Sequence, residues 1–175
     1  MKLVVFSDVH GRSDRVTELL KLHRNADAFL FLGDGIRDLP HEIHTLPSCF
    51  AGVRGNCDFF GGNTLDFSLS EELLLNFGSY TVMMTHGHRL GVKSGIDNAV
   101  HHAVKRRADI LLYGHTHVAE ERYLPEGATI GEDSLSKPLW IMNPGSLGAP
   151  RNGEPSYGLI QIQNGQILLS HGTLL

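Results

Sequence analysis

The chain has 175 residues, 41% of them apolar and 19% charged, with a formal net charge of -4 at neutral pH. That length suits one domain over 1–175, with a single core that buries about two-thirds of the surface an unfolded chain exposes. The acidic balance excludes a dedicated nucleic-acid binder, which would present a basic field, and no stretch approaches the ~18 apolar residues of a membrane span, so neither nucleic acid nor membrane is an expected partner.

Residues 2–6 form a near-continuous apolar run, read as a buried strand. No apolar signal core precedes it, so a cytoplasmic location is expected. Ser13 is placed as the cap of a helix whose Val16, Leu19, Leu20 and His23 follow helical spacing. Residues 28–32 make the next strand, 36–44 a short helical piece and 49–53 a third strand. Leu65-Asp66-Phe67-Ser68-Leu69 alternates, and Leu73, Asn76 and Phe77 before Gly78-Ser79 suggest a hairpin into a strand at 80–85. Ser94, with Asp97 three residues on, reads as a capping box. The helix it opens carries Ile96, Ala99, Val100, Ala103 and Val104 on one face, and Lys105-Arg106-Arg107 places cations at its C-terminus, where they complement the macrodipole. A strand at 109–113 follows. Short strand candidates at 118–123, 127–131, 137–142, 157–163 and 166–171 come after it, separated by turns that include Asn152-Gly153 and Asn164-Gly165. Strands and helices that alternate, then mostly strands, predict two sheets packed face to face with helices outside. Cys49 and Cys57 form no CxxC unit and are read as unpaired.

The chemistry lies where the strands end. Leu3-Val4-Val5-Phe6 leads to Asp8 and His10; Phe29-Leu30-Phe31-Leu32 to Gly33-Asp34-Gly35; Phe50-Ala51-Gly52-Val53 to Gly55-Asn56-Cys57-Asp58. Val82-Met83-Met84 leads to His86-Gly87-His88, and Ile110-Leu111-Leu112-Tyr113 to Gly114-His115-Thr116-His117. Parallel strands place such loops along one edge. Asp8 and His10, one residue apart on an extended stretch, point the same way and can share an ion; the same argument pairs His115 with His117. The set Asp8, His10, Asp34, Asn56, His86, His115 and His117 exceeds the four ligands of a tetrahedral zinc. It suits two divalent ions about 3.5–4 Å apart that share a carboxylate. Nitrogen and oxygen ligands without thiolate fit manganese, iron, nickel or zinc. Two such ions lower the pKa of a bridging water and neutralise phosphoryl charge.

This ordered series resembles the calcineurin-type metallophosphoesterases, and Asn143-Pro144-Gly145-Ser146 with Pro150-Arg151 resembles the small YfcE-type phosphodiesterase branch. The resemblance runs from residue 3 to about 151. It implies an α/β fold, a four-layer αββα sandwich of two mixed β-sheets flanked by helices. It implies that Asp8, His10 and His117 hold one ion, that Asn56, His86 and His115 hold the other, and that Asp34 bridges them, with manganese the first expectation. The implied activity is hydrolysis of a small phosphodiester by a metal-bridging hydroxide. A phosphomonoesterase, or a non-catalytic metal-binding scaffold of the same fold, is the alternative.

One position departs from many relatives, which carry histidine directly after the motif asparagine. Here Cys57 stands there, as in the YfcE-type branch, and a thiol with an ordinary pKa of about 8.5 is a poor acid at neutral pH. The candidate catalytic groups are therefore Asn56, Cys57 and His88, the last a stand-in proton donor beside His86. His23, His41, His44, His101, His102 and His171 are read as solvent or boundary residues. Arg12 is either a phosphate clamp or a surface arginine at a helix start, and Asn143 and Ser146 shape a turn or line the cleft. Small relatives commonly self-associate, so a homo-oligomer is compatible with this reading.

Overall fold

In the computed structural model, which describes residues 1–46, 48–58, 69–131 and 133–174, the first strand already shows how the layers arise. Leu3, Val4, Val5 and Phe6 of β1 (Lys2–Phe6) are all fully buried. Successive strand side chains point to opposite faces, so Leu3 and Val5 enter one core while Val4 and Phe6 enter another. Burial on both faces is why the strand reads as a continuous apolar run.

The chain continues through α1 (Ser13–Leu22), β2 (Ala28–Phe31), β3 (Cys49–Gly52), β4 (Glu72–Phe77), β5 (Tyr80–Thr85), α2 (Asp97–Lys105) and β6 (Ile110–Tyr113). It ends with β7 (Ala119–Leu124), β8 (Thr129–Ile130), β9 (Asp133–Ser134), β10 (Leu139–Pro144), β11 (Ser156–Gln163) and β12 (Gln166–Thr173). One sheet has the order β12-β11-β1-β2-β3 and the other β4-β5-β6-β10-β7, with β8 and β9 a separate ribbon. β1, β2 and β3 run parallel, as do β5, β6 and β10, while β4, β7, β11 and β12 pair antiparallel. Both sheets are therefore mixed.

Three apolar layers cement four layers of structure. Val16, Leu19 and Leu20 of α1 cover Val4, Phe6, Phe29 and Phe31. Leu3, Val5 and Leu30 meet Val82, Met84, Ile110, Leu112 and Met142 between the sheets. Ile96, Ala99, Val100 and Ala103 cover Met83, Leu111, Tyr113 and Ile141. The result is the αββα sandwich. Phe31 packs on Phe6 with ring centroids 5.3 Å apart, and truncating such a buried aromatic to alanine costs about 3–5 kcal/mol.

Several local expectations need correction. Ser13 is the first residue of α1 rather than its cap: the Arg12 carbonyl already accepts from Arg15 and Val16, and no side chain caps the end. Ser94 belongs to a 3-10 turn at Val92–Ser94, and Ile96 takes the cap position of α2 without a side-chain bond. The box cannot form because Ser94 lies upstream of the cap. Val104 is half-exposed; at about 100° per residue it sits roughly 90° from the centre of the buried stripe. Residues 36–44 make two 3-10 turns, Ile36–Asp38 and His41–His44, on either side of Pro40, which cannot sit inside a helix. His23 is buried, edge-on to Tyr157 at 5.0 Å, because it closes the apolar stripe of α1. His102 and His171 bond Glu72 and the Asn143 carbonyl respectively. Asn164-Gly165 turns β11 into β12 with both residues at positive φ, as a hairpin of that type requires. Asn152-Gly153 instead lies in the loop that carries the chain from one sheet to the other. The alternation at residues 65–68 and the side chain of His44 lie outside the described residues.

Candidate metal centre

The chain leaves β1 at Ser7 and turns at once. Asp8 has φ 53°, His10 φ 41°, Asp34 φ 59°, His115 φ 69° and His117 φ 60°. Left-handed backbone costs a residue with a Cβ about 1–2 kcal/mol, and such strain concentrates where function over-determines the geometry. The ligand side chains therefore do not converge through the strand pleat, as an extended Asp-x-His would. They converge because tight loops are tied to one another: the Asp8 and Val9 amides donate to the carbonyls of Gly33 at 2.9 Å and Asp34 at 2.8 Å, and the His115 amide donates to Asp8 Oδ2 at 3.0 Å.

The same turn separates His115 from His117, which the pleat argument would have paired. Asp8, His10 and His117 form one group and Asp34, His86 and His115 a second; within each, the three potential ligand atoms lie within 4.8 Å of one another. Asn56 reaches the second group, its Oδ1 3.1 Å from His86 Nε2. All seven residues read as ligands thus meet at the ends of β1, β2, β3, β5 and β6. The rings are aimed from behind: His86 Nδ1–H donates to the Leu32 carbonyl and His117 Nδ1–H to the Ala149 carbonyl, each at 2.7 Å. That leaves the lone pair of each Nε2 facing inward, the usual arrangement behind a ligating imidazole.

The inward-facing atoms lack ordinary partners. Asp8 Oδ1 is buried and accepts no hydrogen bond, while His117 Nε2 and His10 Nε2 stand 3.1 and 3.7 Å from it. His115 Nδ1 faces His86 Nε2 at 3.2 Å. Leaving a buried acceptor unsatisfied costs about 1–3 kcal/mol. Carboxylates and imidazole lone pairs gathered this way, with no thiolate, fit a divalent cation in each group.

Electrostatics follow from this crowding. Burial opposes ionisation of Asp8, but His10, His117 and His86 outweigh it and hold its carboxyl well below the usual range. Burial also opposes ionisation of Asp34, yet His86 beside it and the Cys57 amide bring it down to about 2. Asp8 raises His10, and Asp34 and Asp8 raise His86 despite its burial. Burial, with the charge of His86 and Lys93, brings His115 down to about 4. Burial and the carboxylate of Asp34 push the Cys57 thiol up to about 11. Burial and His86 lower His88, whose ring lies 5.4 Å from His86 and 6.1 Å from His115.

Close approach requires two glycines here. A Cβ on Gly55 would lie 2.1 Å from Asp34 Oδ1, and one on Gly114 2.1 Å from Ser7 Oγ. Arg12 bonds Asp14 through two nitrogens at 3.0 and 2.8 Å and is the surface arginine of the two readings. Asn143 and Ser146 hold the loops that bear the candidate ligands. Asn143 Nδ2 donates to the Gly114 carbonyl at 3.0 Å, and Ser146 Oγ to the Asp8 carbonyl at 2.7 Å. Sequence reasoning missed Ser7, whose hydroxyl donates to Asp8 Oδ2 at 2.6 Å, and the side chain of Asp58; a polar residue at a strand end was the available signal.

Comparison with known proteins shows the family. The family model for the calcineurin-like phosphoesterase superfamily domain matches residues 1–165. The probable metallophosphoesterase YsnB of Bacillus subtilis is 33% identical over 166 residues, covering 94% of this chain and 86% of that protein. The phosphodiesterase YfcE of Escherichia coli is 30% identical over 185 aligned positions, covering 91% and 87%. A crystal structure of a predicted phosphoesterase from Streptococcus pneumoniae superposes with a TM-score of 0.74 at 27% identity, covering 98% of this chain and 88% of that one.

Proposed function

The chain belongs to the calcineurin-like phosphoesterase superfamily, and we propose that it is a phosphodiesterase that works with two divalent ions, manganese first among them. Asp8, His10 and His117 would hold one ion, and Asn56, His86 and His115 the other, with Asp34 shared. The observation that carries this reading is the buried, unbonded Asp8 Oδ1 faced by two imidazole nitrogens. Bound there, such ions supply a nucleophile from water at neutral pH and offset charge on a phosphoryl group.

The chain's own residues do the rest. Asp8 and Asp34 stay ionised at neutral pH, and the Leu32 and Ala149 carbonyls keep His86 and His117 in the ligating tautomer. Cys57 holds its proton tightly and donates poorly to a leaving oxygen. His88, its ring 5.4 Å from His86 and its pKa lowered, is neutral at ordinary pH; it could orient a substrate oxygen by hydrogen bonding but carries no spare proton. A site so short of acid suits esters whose leaving group departs unaided, and the relative named a phosphodiesterase points the same way. The substrate in view is a small phosphodiester.

The test is a hydrolysis screen on metal-stripped protein reloaded with single divalent ions, using bis-p-nitrophenyl phosphate and p-nitrophenyl phosphate. Metal-dependent turnover that favours the diester is expected. Absence of turnover of both esters with every ion sinks the enzyme and leaves a metal-binding scaffold.

A further inference from the structure

Asp58 follows Asn56 and Cys57 on the loop after β3, and its side chain is buried. Its Oδ2 accepts the backbone N–H of Asp34 at 2.8 Å and of Gly55 at 2.9 Å. Its Oδ1 accepts those of Gly35 at 2.8 Å and Ile36 at 2.9 Å. One carboxylate therefore gathers four amides from the two loops that carry Asp34 and Asn56. An ionised carboxylate has about four lone-pair sites, so its capacity is filled, and each bond gains strength from the charge.

This arrangement bears on Asp34 directly. With its amide tied to Asp58 and its Oδ1 accepting the Cys57 amide at 2.7 Å, the Asp34 carboxylate turns its Oδ2 to His86 Nε2, 3.3 Å away. The loops touch so closely at Gly55 that no side chain fits between them. The first group is anchored differently: the Asp8 and Val9 amides go to backbone carbonyls, and Ser146 holds the Asp8 carbonyl.

The geometry points to Asp58 as the positioning residue of the second metal site, setting Asp34 against Asn56 and so the affinity for the second ion. The inference rests on the reading that Asp34, Asn56, His86 and His115 hold an ion. In Asp58→Asn the amide nitrogen cannot accept, so two of the four bonds are lost and N–H faces N–H. Titration of the metal-free variant with Mn²⁺ should weaken the second equivalent about 10–100-fold and the first, which also draws on the shared Asp34, by less, with turnover recovering in excess Mn²⁺. Asp58→Glu keeps both acceptor oxygens and should restore part of the loss. A readout without metal separates the two ideas: amide exchange at Asp34, Gly35, Ile36 and Gly55 should quicken in metal-free Asp58→Asn while Leu147 and Gly148, bonded to the Ser7 and Asp8 carbonyls, stay protected. If wild type takes up fewer than two ions, the metal reading fails and the exchange pattern alone decides the role of Asp58. If the variant does not fold, scalar couplings across the hydrogen bonds, from the four amide nitrogens to the Asp58 carboxylate carbon, are measured in wild type. Absence of those couplings, or an Asp58→Asn protein with unchanged exchange and unchanged second-ion affinity, overturns the proposal.

Discussion

His10 Nε2 and His117 Nε2 face each other at 3.3 Å, although 107 positions separate them in the chain. Between neutral rings only one of the two can donate, and the buried Asp8 Oδ1 beside them gains no bond from either. Without an ion, the way to relieve this crowding is to take up protons. Asp8 accordingly raises His10, and Asp34 raises His86 in the second group.

The first prediction concerns pH and metal together. A histidine whose folded pKa is raised stabilises the fold below its unfolded value, about 6.5, and that contribution is lost as pH rises through the folded value. Bound metal requires the neutral rings. The gap in thermal midpoint between Mn²⁺-loaded and metal-free protein should therefore widen from about pH 6 to about pH 8, with proton release on loading. Calorimetry in buffers of different ionisation enthalpy reads the protons. A gap that is constant or narrows with pH contradicts the assignment of these rings as ligands.

The second prediction is stoichiometric. Elemental analysis of desalted, Mn²⁺-loaded protein should approach two equivalents per chain, and Asp34→Asn should lower that number by weakening both sites. A firm plateau at one equivalent, unmoved by Asp34→Asn, removes the shared carboxylate.

The strand-end junctions were legible in the sequence because burial on both faces makes a central parallel strand such as β1, β2 or β6 a continuous apolar run, and glycine beside Asp or His marks where it stops. The four layers followed from the same pattern. Spacing paired Asp8 with His10, which do share a group, and His115 with His117, which do not. An extended Asp-x-His would keep both side chains on one face, but Asp8, His10, His115 and His117 all adopt positive φ, and that choice is imposed by loop-to-loop bonds such as His115 N–H to Asp8 Oδ2. Only the resemblance grouped His117 with Asp8. The helix caps failed for a related reason: Ser94 lies in a tertiary turn that ends before α2 begins. Three of the four bonds of Asp58 join it to a loop more than 20 residues away, beyond the reach of any local pattern.

Gly55→Ala supplies a third test. Its backbone is not left-handed, so the variant carries no φ strain, but the new methyl would sit 2.1 Å from Asp34 Oδ1. The methyl would also lie 2.5 Å from the Asp34 backbone nitrogen, so the carboxylate must swing away and the two loops must part. Far-UV circular dichroism should be unchanged while second-ion affinity falls at least tenfold, about 1.4 kcal/mol. Wild-type affinity in a correctly folded Gly55→Ala protein means that Asp34 is not a ligand in its present position.

A fourth concerns stability away from the site. Both ring nitrogens of His23 are buried without a partner, and burial, with Lys2 nearby, lowers its pKa. A lowered histidine leaves the fold at full strength above the unfolded value, about 6.5, and costs stability as pH falls below it. His23→Phe keeps the edge contact with Tyr157 and removes the unpaired polar atoms. Chemical denaturation of metal-free protein should show a gain of about 1–2 kcal/mol at neutral pH, larger near pH 5.5. A variant less stable than wild type at both pH values indicates that the His23 ring has a bonding partner in solution.

The last prediction separates substrate classes. A phosphomonoester brings a second negative charge and, with an alkyl leaving group, needs a proton at the departing oxygen. Cys57, pushed up to about 11 by burial and by Asp34, gives that proton up too reluctantly near neutrality, and His88 is neutral there. Aryl diesters such as bis-p-nitrophenyl phosphate, whose leaving group is already a weak base, should be the better substrates. Cys57→His places an imidazole where the thiol stood, with its backbone amide still on Asp34 Oδ1. It should raise kcat/KM for alkyl esters more than for aryl esters, since only the former lack an acid. The comparison is kcat/KM for matched monoesters and diesters in both proteins. A wild-type preference for monoesters of tenfold or more, about 1.4 kcal/mol of transition-state stabilisation, would make the protein a phosphatase and remove the diester assignment.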